Sequence, residues 1–263
     1  MLIDIANLNF AYNGCRVLTG ISLHVEQGQR WAIIGRNGSG KSTLIKCIAG
    51  LEKTAPDTVK INGRAIEAYS AKERARCIAY VPQVSGRNLP FTVYDYVMMG
   101  RFPYQGFMAV PSANDRVVVD SALTLTETLE LKDRLVYSLS GGEQQRVFIA
   151  GAVAQQSKIV LLDEPTTFLD PYHQQRIIEV LDRICSELGT TILSVTHEIT
   201  TFNTLYNNVL GLKSGHVLYC GAIDNLTANN CAILQKLFDL PFEKVELTSG
   251  QSAVIPIQNR QGL

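Results

Sequence analysis

Apolar residues recur along this chain in two rhythms. Over residues 2–10 they alternate with polar ones, Tyr12-Asn13-Gly14 reads as a turn, and residues 17–25 alternate again in part. This predicts two antiparallel strands flanking a main sheet. Four short apolar runs, at residues 30–34, 77–81, 159–162 and 190–196, read instead as buried strands. Helical spacing appears at residues 43–49, from Phe91 to Met99 with Thr92 as N-cap, and at 116–129 with Asp115 and Asp120 near its beginning. It appears again through Val147, Ala150 and Ala154, and after Asp170, where Pro171 falls in the first turn that tolerates proline. Residues 58–64 predict a short strand and turn, 209–219 a hairpin, 224–240 a helix and 242–257 short strands. Buried strands separated by helices predict an α/β fold with a mainly parallel sheet.

Composition narrows the picture. The 263 residues suffice for one large α/β domain or a core with an insertion. Lys+Arg and Asp+Glu both number 24, so no strongly basic footprint points to nucleic acid. Hydrophobic residues make up 46%, yet no apolar run approaches the ~18–20 residues of a membrane span. Residues 1–5 do not begin a basic and then long apolar leader, so no secretory signal is expected. The six cysteines are scattered without a C-x-x-C pair and read as reduced packing residues of a cytosolic protein.

The candidate chemistry begins at Gly35-Arg36-Asn37-Gly38-Ser39-Gly40-Lys41-Ser42, followed by Thr43. It fits G-x-x-x-x-G-K-[ST] between a strand and a helix, the context that makes the pattern physical. The glycines let successive N–H groups converge on phosphate oxygens, and the helix N-terminus favours negative charge. Lys41 would reach β- and γ-phosphates and Ser42 would bind Mg²⁺. Further candidates sit at strand ends, where open α/β sheets bind ligands. Gln83 follows the second buried strand and could contact Mg²⁺ or its water. Asp163 and Glu164 end the third; Asp163 would hold Mg²⁺ through water and Glu164 would polarise an attacking water. His197 ends the fourth and could hydrogen-bond a γ-phosphate, whereas His24, His173 and His216 read as structural or surface residues. Ser140-Gly141-Gly142 opens a helix and is a second anion-site candidate. Tyr12 reads equally as a packing residue or as a platform for an adenine ring.

From residue 87 the character changes to a helical insertion, with the aromatic loop Gly100-Arg101-Phe102-Pro103-Tyr104-Gln105-Gly106-Phe107 inside it. That loop reads equally as a partner anchor or as internal packing.

Five separated motifs, GRNGSGKS, the glutamine of YVPQ, LSGGEQQRV, IVLLDEP with TTFLD, and VTHE, stand in an order that resembles the ATP-binding cassette (ABC) ATPases. The resemblance covers almost the whole chain. It implies a P-loop NTPase core with a mainly parallel sheet, a flanking antiparallel β portion and an inserted helical subdomain. The whole chain, 1–263, would be one ABC ATPase domain. Residues 1–86 and 155–220 would form the core, 87–154 the helical insertion and 221–263 a C-terminal helix with short strands. It implies ATP and Mg²⁺ as ligands and places Tyr12 where the family stacks adenine. Two copies would pair head to tail, Ser140, Gly141 and Gly142 of one completing the site of the other, with Asp170 bridging the two sites. Glu164 would be the catalytic carboxylate and His197 the γ-phosphate contact.

FTVYDYVMMGRFPYQG further resembles the subgroup serving importers of iron–siderophores, haem and cobalamin, a pattern that molybdate-type importers share. Such chains sit on the cytoplasmic face of polytopic permease subunits, to which an extracytoplasmic binding protein delivers substrate. Four positions depart from the family pattern: Arg36 for proline, Glu143 for glutamine, Phe168 for a small residue and Gly151 for arginine. A mid-helix glycine costs ~1 kcal/mol relative to alanine. Two rival functions stay open at this level: a soluble ABC ATPase acting as scaffold or assembly factor, and a regulatory module that barely hydrolyses ATP. The Asp163-Glu164 pair argues against the second.

Overall fold

The computed structural model describes residues 1–83, 89–106, 110–197, 205–226, 228–246 and 252–257. Expectations attached to residue 87, Phe107 and Glu198 lie outside these. In chain order the elements are β1 (Ile3–Tyr12), β2 (Cys15–Val25), β3 (Arg30–Ile34), α1 (Lys41–Ile48), β4 (Val59–Ile61), β5 (Arg64–Ala65), α2 (Ala71–Cys77), β6 (Ile78–Val81), α3 (Val93–Met99) and α4 (Ala113–Leu125). There follow α5 (Gly141–Ala154), β7 (Ile159–Asp163), α6 (Pro171–Leu188), β8 (Thr191–Val195), β9 (Asn208–Lys213), β10 (His216–Ala222), α7 (Ile223–Leu226), α8 (Ala228–Phe238), β11 (Phe242–Glu246) and β12 (Ser252–Pro256). The chain divides into two compact units, residues 1–65 with 193–263, and residues 66–192.

In the first unit, β1 pairs antiparallel with both β2 and β4, giving the order β2-β1-β4-β5. Ile3, Ile5 and Leu8 are fully buried while Asn7 and Asn9 between and beyond them are exposed, so one face of β1 carries the packing. The second sheet of this unit runs through β3, which pairs parallel with β9, and β9 pairs antiparallel with β10. Trp31 to Ile34 are all buried, as a parallel strand covered on both faces requires. β10 alternates between half-buried and exposed, as an edge strand does. Thr19 N donates to Gly215 O at 2.8 Å, joining β2 to the β9–β10 turn. β11 and β12 form a separate antiparallel hairpin.

In the second unit, β6 and β7 pair parallel from Ile78↔Ile159 to Val81↔Leu162. Helices α3 and α4 pack on α5, which also packs on α6. All four of these helices start where a side chain caps them: Thr92, Ser112, Ser140 and Asp170 each accept from the N–H three residues on. Gly189, with φ 61°, ends α6.

Some boundaries differ from the pattern-based expectation, each for a local reason. The helix expected at 116–129 begins at Ala113, because Ser112 and Asp115 form a capping box, and ends at Leu125. There the Thr126 hydroxyl donates back to Ala122 O at 2.9 Å and Glu127 adopts φ 55°. Cys77 closes α2, a helix the apolar pattern does not announce because none of its residues is buried; its signal is the Ser70/Glu73 capping box. The helix expected at 224–240 is two helices, α7 and α8. Among the described residues, no helix is long and apolar enough to cross a membrane.

The aromatic loop after α3 is anchored by a buried cation. Arg101 is 2% exposed; its Nε donates to Asp115 Oδ1 at 2.9 Å and Nη1 to Ala154 O and Gln156 Oε1 at 2.7 and 2.9 Å. Its guanidinium also lies over the Tyr104 ring at 4.1 Å. One side chain thus ties the loop to α4 and to the end of α5. The Tyr104 ring is therefore partly spent on internal packing, while Phe102 stays 57% exposed. Hydrogen bonds from Arg101, then from Ser112, hold the Asp115 carboxyl down at about 2. A depressed carboxylate stabilises the fold above its ordinary value near 3.8, and that stability is lost as pH falls through about 2. Asp115→Ala leaves a buried guanidinium without its counter-charge and is expected to cost about 3 kcal/mol, read as a lower urea midpoint at neutral pH. The cost should shrink as the pH of the titration is lowered toward 2.

Candidate functional site

The glycine loop leaves β3 at Gly35 and enters α1 at Lys41. At Gly35, φ is 149°, and a Cβ would run into Leu212 O and, at 2.8 Å, into Ser39 Oγ. No L side chain fits there, which is why the loop can press against the end of β9. The β9–β10 turn supports it from below, Gly215 N donating to Ser39 O at 3.2 Å. Gly40 is the N-cap of α1 and offers no side-chain cap, so the first turn's N–H groups are not claimed by a capping side chain.

Lys41 is 5% exposed, and its Nζ donates to Gly35 O at 2.9 Å and Arg36 O at 3.0 Å. The buried ammonium is thus satisfied by the loop's own carbonyls, at the place where an anion would replace them. Ser42 and Thr43 are half-buried; Arg36, Asn37 and Gly38 are exposed; the Ser39 hydroxyl is buried without a hydrogen-bond partner. Arg36, at the position of the expected proline, points its guanidinium to Asp239 Oδ2 at 2.9 Å, and Lys213 binds Asp239 Oδ1 at 2.6 Å. Lys213 and then Arg36 hold the Asp239 carboxyl below the usual carboxylate range. The substitution of proline is therefore accommodated by an ion pair reaching to the end of α8. Tyr12 lies at the end of β1, and His197 is exposed two residues beyond β8.

The second unit holds the other candidates. β7 delivers Asp163, 5% exposed, with the Tyr80 hydroxyl 3.4 Å from its Oδ2. At Glu164 the backbone turns to φ 53°, a left-handed conformation that costs a non-glycine residue of order 1 kcal/mol. The turn brings Glu164 Oε2 to two donors, Gln83 Nε2 at 2.7 Å and Thr167 Oγ1 at 3.1 Å. Two candidates 81 residues apart are thus in direct contact. Taken singly, Asp163 and Gln83 in this unit carry carboxylate and amide oxygens and Ser42 in the first unit a hydroxyl, each a hard donor type that Mg²⁺ takes.

Ser140 caps α5. Its N–H and hydroxyl both donate to Glu143 Oε2 at 2.8 Å, and the Glu143 N–H donates back at 3.4 Å. Burial would raise the Glu143 carboxyl, but the Ser140 hydrogen bonds outweigh it and hold it low. The capping box explains why glutamate serves where glutamine was the common residue. The His173 ring lies directly on Gly142, so a histidine read as merely structural shapes the start of α5; nothing in the local pattern could have revealed it. Asp170 caps α6, accepting from His173 N at 2.9 Å. Phe168 stands just before it with φ 67° and 87% exposed. Gly151, at the position of the expected arginine, lies 3.1 Å (from where a Cβ would be) to the Tyr96 ring, so an aromatic fills that space.

A glycine loop closed around a buried lysine, and a strand ending in an acidic pair whose glutamate accepts from a glutamine, are the parts of a nucleotide-hydrolysing P-loop protein. A family model described as ABC transporter matches residues 18–167. The iron(3+)-hydroxamate import ATP-binding protein FhuC of Bacillus subtilis (strain 168) is 35% identical over 90% of this chain and 88% of its own length. A solved metal-chelate type ABC transporter in an inward-facing conformation superposes with a TM-score of 0.84 at 26% identity, covering 98% of both chains. A dimeric ATP-binding cassette in a post-hydrolysis state with ADP and Pi superposes with 0.72 at 27% identity, covering 84% of this chain and 99% of that one. The chain belongs to the ABC transporter family and is one of its ATP-binding, ATP-hydrolysing subunits.

Proposed function

We propose that this chain is the ATP-driven motor of an importer for an iron–siderophore or a related metal chelate. The observation that carries the hydrolytic part is the Gln83–Glu164 contact, which holds a carboxylate ready for water at the end of a buried strand. The subgroup reading rests on the FTVYDYVMMGRFPYQG stretch and is supported by the importer relatives. In this reading Gly35 to Thr43 grip the triphosphate, with Lys41 leaving the loop carbonyls for the β- and γ-phosphates. Ser42, Gln83 and, through water, Asp163 would hold Mg²⁺, Glu164 would take the proton of the attacking water, and His197 would hydrogen-bond the γ-phosphate. Mg²⁺ supplies neutralisation of phosphate charge when bound.

Ser140, Gly141 and Gly142 act on the nucleotide of a second copy, paired head to tail, and Asp170 lies at the junction. Closure of that dimer does mechanical work because ATP binds the closed state more tightly. The permease docks on the 66–192 unit. A cleft of about 190 Å³ there, lined by Tyr96, Met99, Phe148 and Gln155 among others, is the place for it. The complex sits on the cytoplasmic face of the membrane and receives substrate from an extracytoplasmic binding protein.

The test is recovery of the tagged chain from detergent-solubilised native membranes, with co-purifying proteins identified by mass. A stoichiometric polytopic partner supports the importer. Recovery only in the soluble fraction, with soluble partners or none, would refute it and leave a soluble ABC ATPase.

A further inference from the structure

Tyr12 is 40% exposed, and its ring is held at two points. Its hydroxyl donates to Glu52 Oε1 at 2.7 Å, and the Phe10 ring meets it perpendicularly, with centroids 4.8 Å apart and planes at 81°. The backbone at Glu52 is itself held. It follows the helix that the glycine loop opens, where Leu51 N and Glu52 N both donate to Lys46 O at 2.9 and 3.4 Å. A carboxylate acceptor makes such a bond shorter and stronger than a neutral one. Burial, then the Glu52 carboxylate, pushes the Tyr12 hydroxyl up to about 12, so it stays a donor across the physiological range.

We propose that Glu52 is a positioning residue for the nucleotide base. It sets the Tyr12 ring in the orientation that receives adenine and ties that ring to the helix carrying Lys41 and Ser42. The proposal rests on the reading of Tyr12 as the adenine platform. An aromatic side chain at the end of a hairpin strand otherwise keeps its torsional freedom and loses it on binding. Glu52 removes that loss beforehand, from 40 residues away in sequence.

The experiment measures equilibrium binding of Mg-ATP and of inorganic tripolyphosphate to the full chain and its variants. Glu52→Ala should weaken ATP binding about 2- to 10-fold and leave tripolyphosphate unchanged, because only the base meets Tyr12. Glu52→Gln keeps an oxygen acceptor and should restore most of the affinity. Tyr12→Phe should match Glu52→Ala, and Glu52→Ala should have no further effect in that background. A thermal midpoint for each variant checks folding. If Glu52→Ala weakens both ligands alike, the residue is structural and the proposal fails. If Glu52→Ala and Glu52→Gln tighten both, Glu52 acts as a repelling charge and the proposal fails. If Tyr12→Ala weakens ATP selectively while Glu52→Ala does not, the platform stands and Glu52 has no part in it. If Tyr12→Ala weakens neither ligand selectively, the platform reading itself falls.

Discussion

Glu164→Gln is expected to bind ATP normally and to hydrolyse it about 10²- to 10⁴-fold more slowly, the range that a general base contributes. The substitution suits the question because of what surrounds this side chain. Oε2 accepts hydrogen bonds from Gln83 Nε2 and Thr167 Oγ1, and a glutamine can present its amide oxygen to both. The left-handed backbone at this residue is no worse for glutamine than for glutamate. Fold and loop contacts should therefore persist, and only the capacity to take a proton is lost. Single-turnover hydrolysis with a parallel ATP-binding titration checks it. Undiminished turnover would remove Glu164 from the role of base. Lost binding would show that the residue orders the site rather than reacts in it. If the dimer proposal is right, the variant should also accumulate in a paired state with ATP, visible by size-exclusion chromatography and absent with ADP.

Lys41→Ala is expected to lose ATP affinity by 100-fold or more. A charge-assisted hydrogen bond contributes about 1.5–3 kcal/mol, and Lys41 is placed to make two or more with the β- and γ-phosphates. The side chain is buried and holds Gly35 O and Arg36 O, so its removal also leaves loop carbonyls without their cation. Arg36 is exposed and its carbonyl can turn to water, whereas Gly35 is buried, so the stability loss should be about 1–3 kcal/mol. Calorimetric titration with Mg-ATP reads the affinity and a thermal midpoint reads the stability; a folded protein that binds at least 100-fold more weakly is the expected outcome. Normal affinity would contradict the assignment of the loop. Arg36→Pro, by contrast, removes an exposed ion pair to Asp239 and should change the thermal midpoint little, because such pairs contribute 0–1 kcal/mol.

Much of this protein was legible residue by residue. The glycine loop could be read because glycines, a lysine and a serine at fixed spacing after an apolar strand have few other uses. The acidic pair could be read because two carboxylates rarely follow four buried apolar residues by accident. Thr92 and Pro171 announced their helices because caps are local chemistry. Boundaries at Ala113 and Cys77 were missed where a capping box, not apolar periodicity, governed.

By itself, then, the sequence determined which residues are candidates for the chemistry and most of the elements that carry them, because propensity, capping and motif spacing act over a few neighbours. Only the tertiary structure decided who meets whom. Gln83 reaches Glu164, Glu52 holds Tyr12, Asp239 receives Arg36, and His173 covers Gly142. The physical reason is common to all four. Each contact joins segments that only sheet order and helix packing bring together, and a side chain's local pattern carries no record of a partner found that way.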